Sequence, residues 1–170
     1  MTSSGNFILA ALAFSFAPFA LGQSLAELPP TDRISASDIG KRFYVEPVEG
    51  IRQEVLFVGF NQASTPIAFP VDAPEYRTTF NGAAAQCSSR GPGWGIPVVD
   101  ELRLLTPHAN SRKVSYLPGS SWTSTLAPCS GCKAPERYRL AYDVNSANVR
   151  NSYDHELFKF YPACVYRAMN

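Results

Sequence analysis

Four cysteines are the residues of this sequence with the clearest chemistry. Cys129 and Cys132 form a Cys-Ser-Gly-Cys pattern, which can be a disulfide closing a tight loop, a thiol redox pair or half of a zinc site. Cys87 closes an alanine-rich helical stretch, and Cys164 lies in the last apolar strand. If those two were bridged, the chain-entropy model gives a stabilisation of about 4 to 5 kcal/mol. This cysteine usage predicts an oxidising compartment.

A structural disulfide is the favoured interpretation of the Cys-Ser-Gly-Cys pattern, because it suits an exported protein and closes a short loop. A redox motif needs its first cysteine at a helix N-terminus, and the following Lys133-Ala-Pro135 is a poor helix start. The redox interpretation remains as the alternative. Zinc would need a second ligand pair, yet His108 and His155 are isolated and are better explained as turn and loop residues.

The sequence offers no catalytic constellation, no metal site and no cofactor motif. It contains no Gly-x-Ser-x-Gly pattern and no phosphate-binding loop. A set of four oxygen-bearing residues could be considered for calcium, but their spacing does not fit the helix-loop-helix rule. Turn chemistry explains the two asparagines of the set more simply. The set comprises Asp143, Asn145, Asn148 and Asp154.

Composition excludes nucleic acid as a partner and favours short strands over long helices. The 170 residues carry a net charge of +1, with 17% charged residues and no basic cluster. A nucleic-acid-binding domain would concentrate lysine and arginine on one face. The 14 prolines and 11 glycines are spread along the chain, which is typical of strands joined by many turns.

The N-terminus has the pattern of a signal peptide in residues 1–22. Phe7 to Leu21 is nearly all apolar, and the small residues that follow predict cleavage after Gly22. The apolar run is interrupted by Ser15 and Pro18 and is too short to cross a membrane comfortably. We therefore expect a mature chain without a stable membrane span, located in the periplasm, at the cell surface or outside the cell.

The first half of the mature chain predicts a β extension over residues 23–78. Its polar, proline-bearing start is expected to be an extended lead-in without regular structure. Residues 41–48 and 54–60 are rich in β-branched and aromatic side chains and predict a hairpin that turns at Glu49-Gly50. Residues 63–77 contain three prolines and predict a long irregular connection.

Two short helices are predicted next. Thr79 is a suitable cap for a helix that buries Cys87 and stops at Gly91. A second helix follows Pro97, with its apolar face repeating at helical spacing and acidic residues in its first turn. Pro107 is expected to end it. The apolar face comprises Val98, Leu102 and Leu105.

The remaining strands complete an α+β plan, with two short helices packed on small antiparallel sheets. Residues 121–126 predict one strand, and residues 138–144 alternate strictly between apolar and polar positions. Residues 149–153 and 157–166 predict two more. We divide the chain into the signal peptide, the extension over 23–78 and a domain over 79–170.

Four motifs of the last domain resemble the C-type-lectin-like domain, most closely the version at the C-terminal tips of bacterial intimin and invasin adhesins. In that family a helical cysteine precedes a proline-started helix with an acidic Glu-Leu core, a Trp-Thr-Ser strand and a terminal Cys-Val pair. Here the motifs occur in the same order and cover about the last ninety residues. They are Ala84-Ala-Gln-Cys87, Ile96-Pro97 through Leu105, Ser121-Trp122-Thr-Ser124 and Ala163-Cys164-Val165-Tyr-Arg167.

The resemblance implies a C-type-lectin-like fold and a disulfide between Cys87 and Cys164. It does not imply calcium-dependent sugar binding, because the family's sugar-binding strings are missing from this sequence. We expect an exported, non-catalytic recognition or adhesion module that binds a protein or glycan. The alternatives are a periplasmic thiol-disulfide protein that uses Cys129 and Cys132, and a structural subunit of a surface assembly that docks through residues 23–78.

Ligand-binding residues are expected on the long loops, where a scaffold can present exposed side chains. Trp94 lies between two glycines, which could leave the indole exposed in a tight turn, although burial is the simpler expectation. The other candidates are basic or aromatic loop residues, namely Arg112, Lys113, Tyr116 and Lys133.

Overall fold

The computed structural model describes residues 25–72, 74, 76–110, 119–154 and 157–168, so the predicted signal peptide lies outside the described residues. The predicted α+β class is confirmed, because these ranges form two α-helices and two antiparallel sheets. The helices are α1 Phe80–Ser88 and α2 Val99–Asn110. The strands are β1 Arg42–Val48, β2 Ile51–Phe60, β3 Pro66–Pro70, β4 Trp94–Gly95, β5 Ser120–Leu126, β6 Tyr138–Asp143, β7 Asn148–Tyr153 and β8 Val165–Arg167.

The larger sheet has five strands in the order β1-β2-β3-β8-β4. Its first two strands form the predicted hairpin, which turns at Gly50 with a φ of 77°, a conformation that glycine adopts without strain. The C-terminal strand β8 lies between β3 and β4. Strands from both sides of residue 78 therefore belong to one sheet.

The prediction of an irregular connection over residues 63–77 is wrong, because the chain forms β3 there. Ile67, Ala68 and Phe69 are fully buried in the middle of the sheet. The misleading residues are Pro66 and Pro70, which lie at the two ends of the strand, where proline is tolerated. Burial on both faces therefore determines this strand.

Both faces of the five-stranded sheet are covered, which explains the continuous apolar run along β2. One face packs against the inner side of α2. The other face packs against α1 and the N-terminal segment, whose Leu28 and Ile34 are buried in the core. This segment departs from the predicted irregular lead-in by a short 3₁₀ helix at Ala36–Asp38. Residues 25–28 also run beside β1, with Glu27 bridged to Tyr44.

Helix α1 begins as predicted, with Thr79 as its N-terminal cap. The Thr79 side chain accepts a hydrogen bond from the Gly82 amide at 3.2 Å. Beyond the helix, Gly91 has a φ of 107°, which ends the helical run. The cap therefore fixes the start of the helix on which the buried Cys87 lies.

Replacing Thr79 by alanine is expected to lower the free energy of unfolding by about 1 kcal/mol, because the Gly82 amide loses its acceptor. Urea unfolding followed by circular dichroism measures the change. Thr79→Ser keeps the oxygen and serves as the matched control. An alanine variant as stable as the serine variant would contradict the capping role.

Helix α2 continues past Pro107, so the prediction that this proline ends it is wrong. Proline removes one backbone hydrogen bond, but Leu102 and Leu105 are fully buried against the sheet and hold the helix in place. His108, expected in a turn, lies in the last turn of α2 and is buried. Within the described ranges, neither helix has the length and apolar character needed to cross a membrane.

The smaller sheet has three strands in the order β5-β6-β7. The predicted strand over residues 138–144 is confirmed as β6, but burial does not alternate strictly along it, since neighbours Ala141 and Tyr142 are both buried. Tyr142 packs towards α2, where its hydroxyl lies 2.8 Å from Thr106 Oγ1. Trp122, the β5 partner of Ala141, is enclosed by two other aromatic rings, so both faces of the sheet are covered where β5 pairs with β6, whereas most of β7 is exposed.

The predicted strand over residues 157–166 is also mostly wrong. Only Val165 and Tyr166 of that range belong to β8, while Phe160 and Tyr161 make single bridges. The chain there crosses from one sheet to the other: Phe160 pairs with Thr78, and Tyr161 runs beside β5. A segment that crosses between two sheets does not stay beside one strand long enough to form a continuous ladder of backbone hydrogen bonds. It therefore makes only isolated pairs.

Candidate functional site

An ion pair between Glu101 and Arg167 joins the first turn of α2 to β8. Arg167 Nε donates to Glu101 Oε1 at 2.8 Å, and Arg167 Nη2 donates to Oε2 at 2.6 Å. The Glu101 side chain is 3% exposed and the Arg167 side chain 32% exposed. Arg167 Nη2 also donates to the Ile96 carbonyl oxygen at 3.1 Å. The two-point contact fixes the plane of the guanidinium group.

The start of α2 is held by side chains from two directions. Glu101 Oε2 accepts a hydrogen bond from the Val98 amide at 3.0 Å. Thr125, on β5, accepts one from the Val99 amide with its hydroxyl oxygen, also at 3.0 Å. Helix starts leave amides without intrahelical partners, and here two of them are satisfied. The position of α2 relative to both sheets is therefore fixed at this end.

A cavity of about 630 Å³ opens beside this helix start. Its walls come from α2, from the turn that joins β2 to β3, and from residues on β5 and β8. The volume lies within the range of about 300 to 1,000 Å³ that is usual for small-ligand sites. The lining residues are Phe60, Asn61, Gln62, Ala63, Val98, Asp100, Glu101, Leu104, Thr125 and Arg167.

The charged groups of the cavity are already paired. Glu101 and Arg167 neutralise each other, and Asp100 Oδ1 accepts a hydrogen bond from Arg103 Nη1 at 2.7 Å on the rim. Both oxygens of Glu101 accept hydrogen bonds from the protein, which anchors this carboxylate in the cavity wall. The cavity therefore has apolar walls and a polar floor whose charges are paired.

Trp94 lies outside this cavity and is buried, with 7% of its surface exposed. The Arg90 guanidinium lies over the indole at 5.1 Å, and the Tyr166 ring packs against it with a centroid distance of 5.4 Å. Burial, followed by the charge of Glu27, raises the pKa of the Tyr166 hydroxyl. The glycine next to the indole fits this packing, because a Cβ on Gly93 would lie 2.7 Å from the Tyr166 ring.

Of the four predicted ligand-binding loop residues, only Lys133 is among the residues that the structure describes. Lys133 is exposed in the loop between β5 and β6, away from the cavity. Arg112, Lys113 and Tyr116 lie outside the described residues, as does His155. Their roles as ligand contacts stay predictions.

All four cysteines lie at disulfide distance, in two pairs. Cys87 on α1 pairs with Cys164, just before β8, with a Cα–Cα distance of 5.2 Å. Cys129 pairs with Cys132 across a Cα–Cα distance of 5.8 Å. The first pair is buried in the core, whereas the second lies in a partly exposed loop.

Replacing Cys129 and Cys132 together by serine is expected to lower the free energy of unfolding by about 2 kcal/mol, since the closed loop is short. The double variant should retain the Cys87–Cys164 pair. Urea unfolding without reductant measures the stability, and mass mapping confirms the remaining bridge. A loss as large as that caused by removing Cys87 and Cys164 would contradict this assignment.

The described residues contain no group of three histidine, cysteine or acidic side chains that could hold a metal ion. Asp143, once considered for calcium, accepts hydrogen bonds from the Asn145 and Ser146 amides with one oxygen, at 3.0 and 3.3 Å. Turn chemistry was predicted for Asn145 and Asn148, and here the Asp143 carboxylate supplies the acceptor of the turn.

Sequence reasoning missed the residues that form the cavity, chiefly Asn61, Glu101 and Arg167. Glu101 was interpreted as a helix-start charge, and Arg167 was noted only as the residue that ends the last motif. An acidic residue inside an apolar helix start is a signal for a buried partner, because such a carboxylate is rarely buried alone. The partner lies 66 residues away in the chain and cannot be read from spacing.

Comparison of the sequence with protein-family models finds no matching family, and comparison with curated proteins finds no match. The functional proposal therefore depends on the geometry of the chain and on its sequence motifs.

Proposed function

We propose that this chain is an exported recognition module with a C-type-lectin-like fold, which binds a protein or glycan ligand without catalysis. The α+β arrangement and the pairing of a helical cysteine with one just before the last strand support the fold. The four sequence motifs of the resemblance supply its remaining support. The module works at the cell surface or in the periplasm, where its disulfides persist.

The cavity beside the start of α2 is the observation that carries the binding function. The cavity is bounded by the start of α2, which side-chain contacts hold against both sheets. Its shape is therefore largely preformed, and a ligand would not lose free energy by ordering its walls. The Glu101 carboxylate at its floor is held by Arg167 through both of its oxygens, which keeps this wall of the cavity rigid. Binding is therefore the function that this geometry supports best.

A glycan and receptor array probed with the purified mature chain tests this function. The matched variant is Ala63→Trp, which places a large side chain in the mouth of the cavity from an exposed turn, with Ala63→Ser as control. We expect at least one array position to bind the wild type and the serine variant but not the tryptophan variant. An array without any specific signal contradicts the proposal.

A thiol-disulfide function is the second candidate, favoured by the partial exposure of the Cys129–Cys132 pair. Reduction of insulin by the purified chain, together with titration of its free thiols, separates the two functions. Insulin reduction that is lost in Cys129→Ser supports the redox function. Two stable disulfides without insulin reduction support the binding function instead. The third function, a structural subunit, stays a prediction that co-purification of partners from the native envelope would test.

A further inference from the structure

Strand β7 is an edge of the smaller sheet, and the outer side of its first half is open. It pairs with β6, and no other described segment hydrogen-bonds to the backbone of residues 148–151. All four of these residues are exposed. An exposed strand edge offers a row of unpaired amides and carbonyl groups to another strand.

The backbone groups of Val149 and Asn151 point outward from the sheet. The Asp154 amide donates to the carbonyl oxygen of the facing Arg137 at 2.7 Å, so these two residues form a hydrogen-bonded pair. Such pairs alternate with non-hydrogen-bonded pairs along an antiparallel ladder. Val149 and Asn151 lie at an odd number of positions from Asp154 and therefore belong to non-hydrogen-bonded pairs. Leu140, which faces Asn151, accordingly accepts a hydrogen bond on its β5 side.

Arg150, between these two residues, carries the charge of the open stretch. Its side chain projects to the other face of the strand from those of Val149 and Asn151. The guanidinium group is exposed and makes no ion pair with a described residue. A strand that pairs with Val149 and Asn151 would place its middle residue opposite Arg150, in a non-hydrogen-bonded pair where side chains approach most closely.

The charge at this position distinguishes between two occupants of the edge. A second copy of the chain that paired antiparallel through the same groups, with Val149 facing Asn151, would place Arg150 opposite its own counterpart. Like charges directly opposite each other destabilise a strand pair. A carboxylate opposite Arg150 forms a cross-strand ion pair instead, so the edge favours an acidic strand of another protein.

We propose that the open edge of β7 binds an extended strand of a partner protein that carries a glutamate or aspartate opposite Arg150. The partner adds a fourth strand to the smaller sheet, antiparallel to β7, through main-chain hydrogen bonds with Val149 and Asn151. This surface shares no residue with the cavity beside α2, so the inference goes beyond the binding function proposed above.

Titration of the full mature chain with three seven-residue peptides, followed by amide NMR spectra, tests the inference. The first peptide is acetylated and amidated Thr-Thr-Val-Glu-Val-Thr-Thr. The second has lysine in place of glutamate, and the third keeps glutamate but carries N-methyl groups on both valines. The three peptides separate the contribution of charge from that of main-chain pairing.

We expect saturable binding of the glutamate peptide with a Kd on the order of 1 mM, together with slowed hydrogen exchange of the Val149 and Asn151 amides. The lysine peptide should bind about fivefold more weakly, because its charge repels Arg150. The N-methylated peptide should not bind, because it lacks the two amide donors. Equal binding of the charged peptides, binding of the N-methylated peptide or no binding of the glutamate peptide overturns the proposal.

Variants of two neighbouring residues locate the site. Arg150→Glu should invert the preference, so that the lysine peptide binds more tightly than the glutamate peptide. Asn151→Pro removes the outward amide but no hydrogen bond to β6, so the glutamate peptide should bind at least about fivefold more weakly. Asn151→Thr is the matched control and should keep the wild-type affinity.

Circular dichroism establishes that each variant is folded. Arg150 is exposed, so Arg150→Glu tests the proposal even if the proline variant fails to fold. A preference for the glutamate peptide that persists in Arg150→Glu, or wild-type affinity in a folded Asn151→Pro variant, overturns the proposal.

The outcomes also separate this inference from the function of the cavity. The glutamate peptide should bind equally to the wild type and to Ala63→Trp, which blocks the cavity alone. Peptide binding at β7, together with an array that shows no ligand, supports the edge inference and contradicts the cavity function. An array ligand blocked by Ala63→Trp, together with a glutamate peptide that fails to bind, supports the cavity function and overturns the edge inference.

Discussion

Replacing Cys87 and Cys164 together by alanine lowers the free energy of unfolding by about 4 to 5 kcal/mol, the largest loss expected from any change to this chain. The bridge spans 77 residues of sequence, and the entropy that it removes from the unfolded chain grows with the loop it closes. It joins α1 to the segment just before β8, where both residues are buried. Urea unfolding at neutral pH without reductant measures the loss.

The double serine variant of Cys129 and Cys132 is the matched control, since it removes one bridge from the same chain but a much shorter loop. Adding reductant to the wild type should also lower the free energy of unfolding. Most of that loss should come from the buried Cys87–Cys164 bridge and less from the Cys129–Cys132 bridge. Equal losses in the two double variants would show that loop length does not govern the stabilisation. The bridge to β8 would then not be the main covalent support of the fold.

Replacing Arg167 by methionine is expected to lower the free energy of unfolding at pH 7 by about 3 to 5 kcal/mol, because it leaves the Glu101 carboxylate buried without its partner. Glu101→Gln should cost less, since the arginine left behind is one-third exposed and reaches water. Changing both residues to methionine should recover most of the loss, since an apolar pair has no unpaired charge. Urea unfolding of Arg167→Met, Glu101→Met and the double methionine variant gives the coupling energy as a double-mutant cycle.

Arg103→Met is the control for this cycle. Arg103 also pairs with an acidic residue of the first turn of α2, but that contact is exposed and should contribute no more than about 1 kcal/mol. If the two arginine variants lose the same stability, burial of Glu101 does not determine the strength of its contact with Arg167. The cavity floor would then lack the rigid support that its binding function requires.

The sequence determined the local structure where one signal acted alone. Thr79 begins α1, Gly50 allows the first hairpin to turn, and the apolar spacing of α2 buries Leu102 and Leu105. In each case the physical cause is local, because caps, turns and helical faces depend on residues within a few positions of one another. The α+β class followed from these elements.

The tertiary structure decided the elements whose local signals pointed the other way. Pro66 and Pro70 indicated a loop, but burial between β2 and β8 made residues 66–70 a strand. Pro107 indicated a helix end, but packing of the inner face carried α2 on. Burial of several apolar side chains outweighs the loss of one or two backbone hydrogen bonds.

The cavity belongs wholly to the tertiary structure. Asn61, Glu101 and Arg167 come from a turn, a helix start and the last strand, and each has an unremarkable local sequence. Residue types and their spacing along the chain determined which cysteines could form disulfides and which residues could cap a helix. Only the approach of β8 to α2 placed a charged pair beside one apolar space, because contacts across long sequence separations depend on the packing of the whole chain.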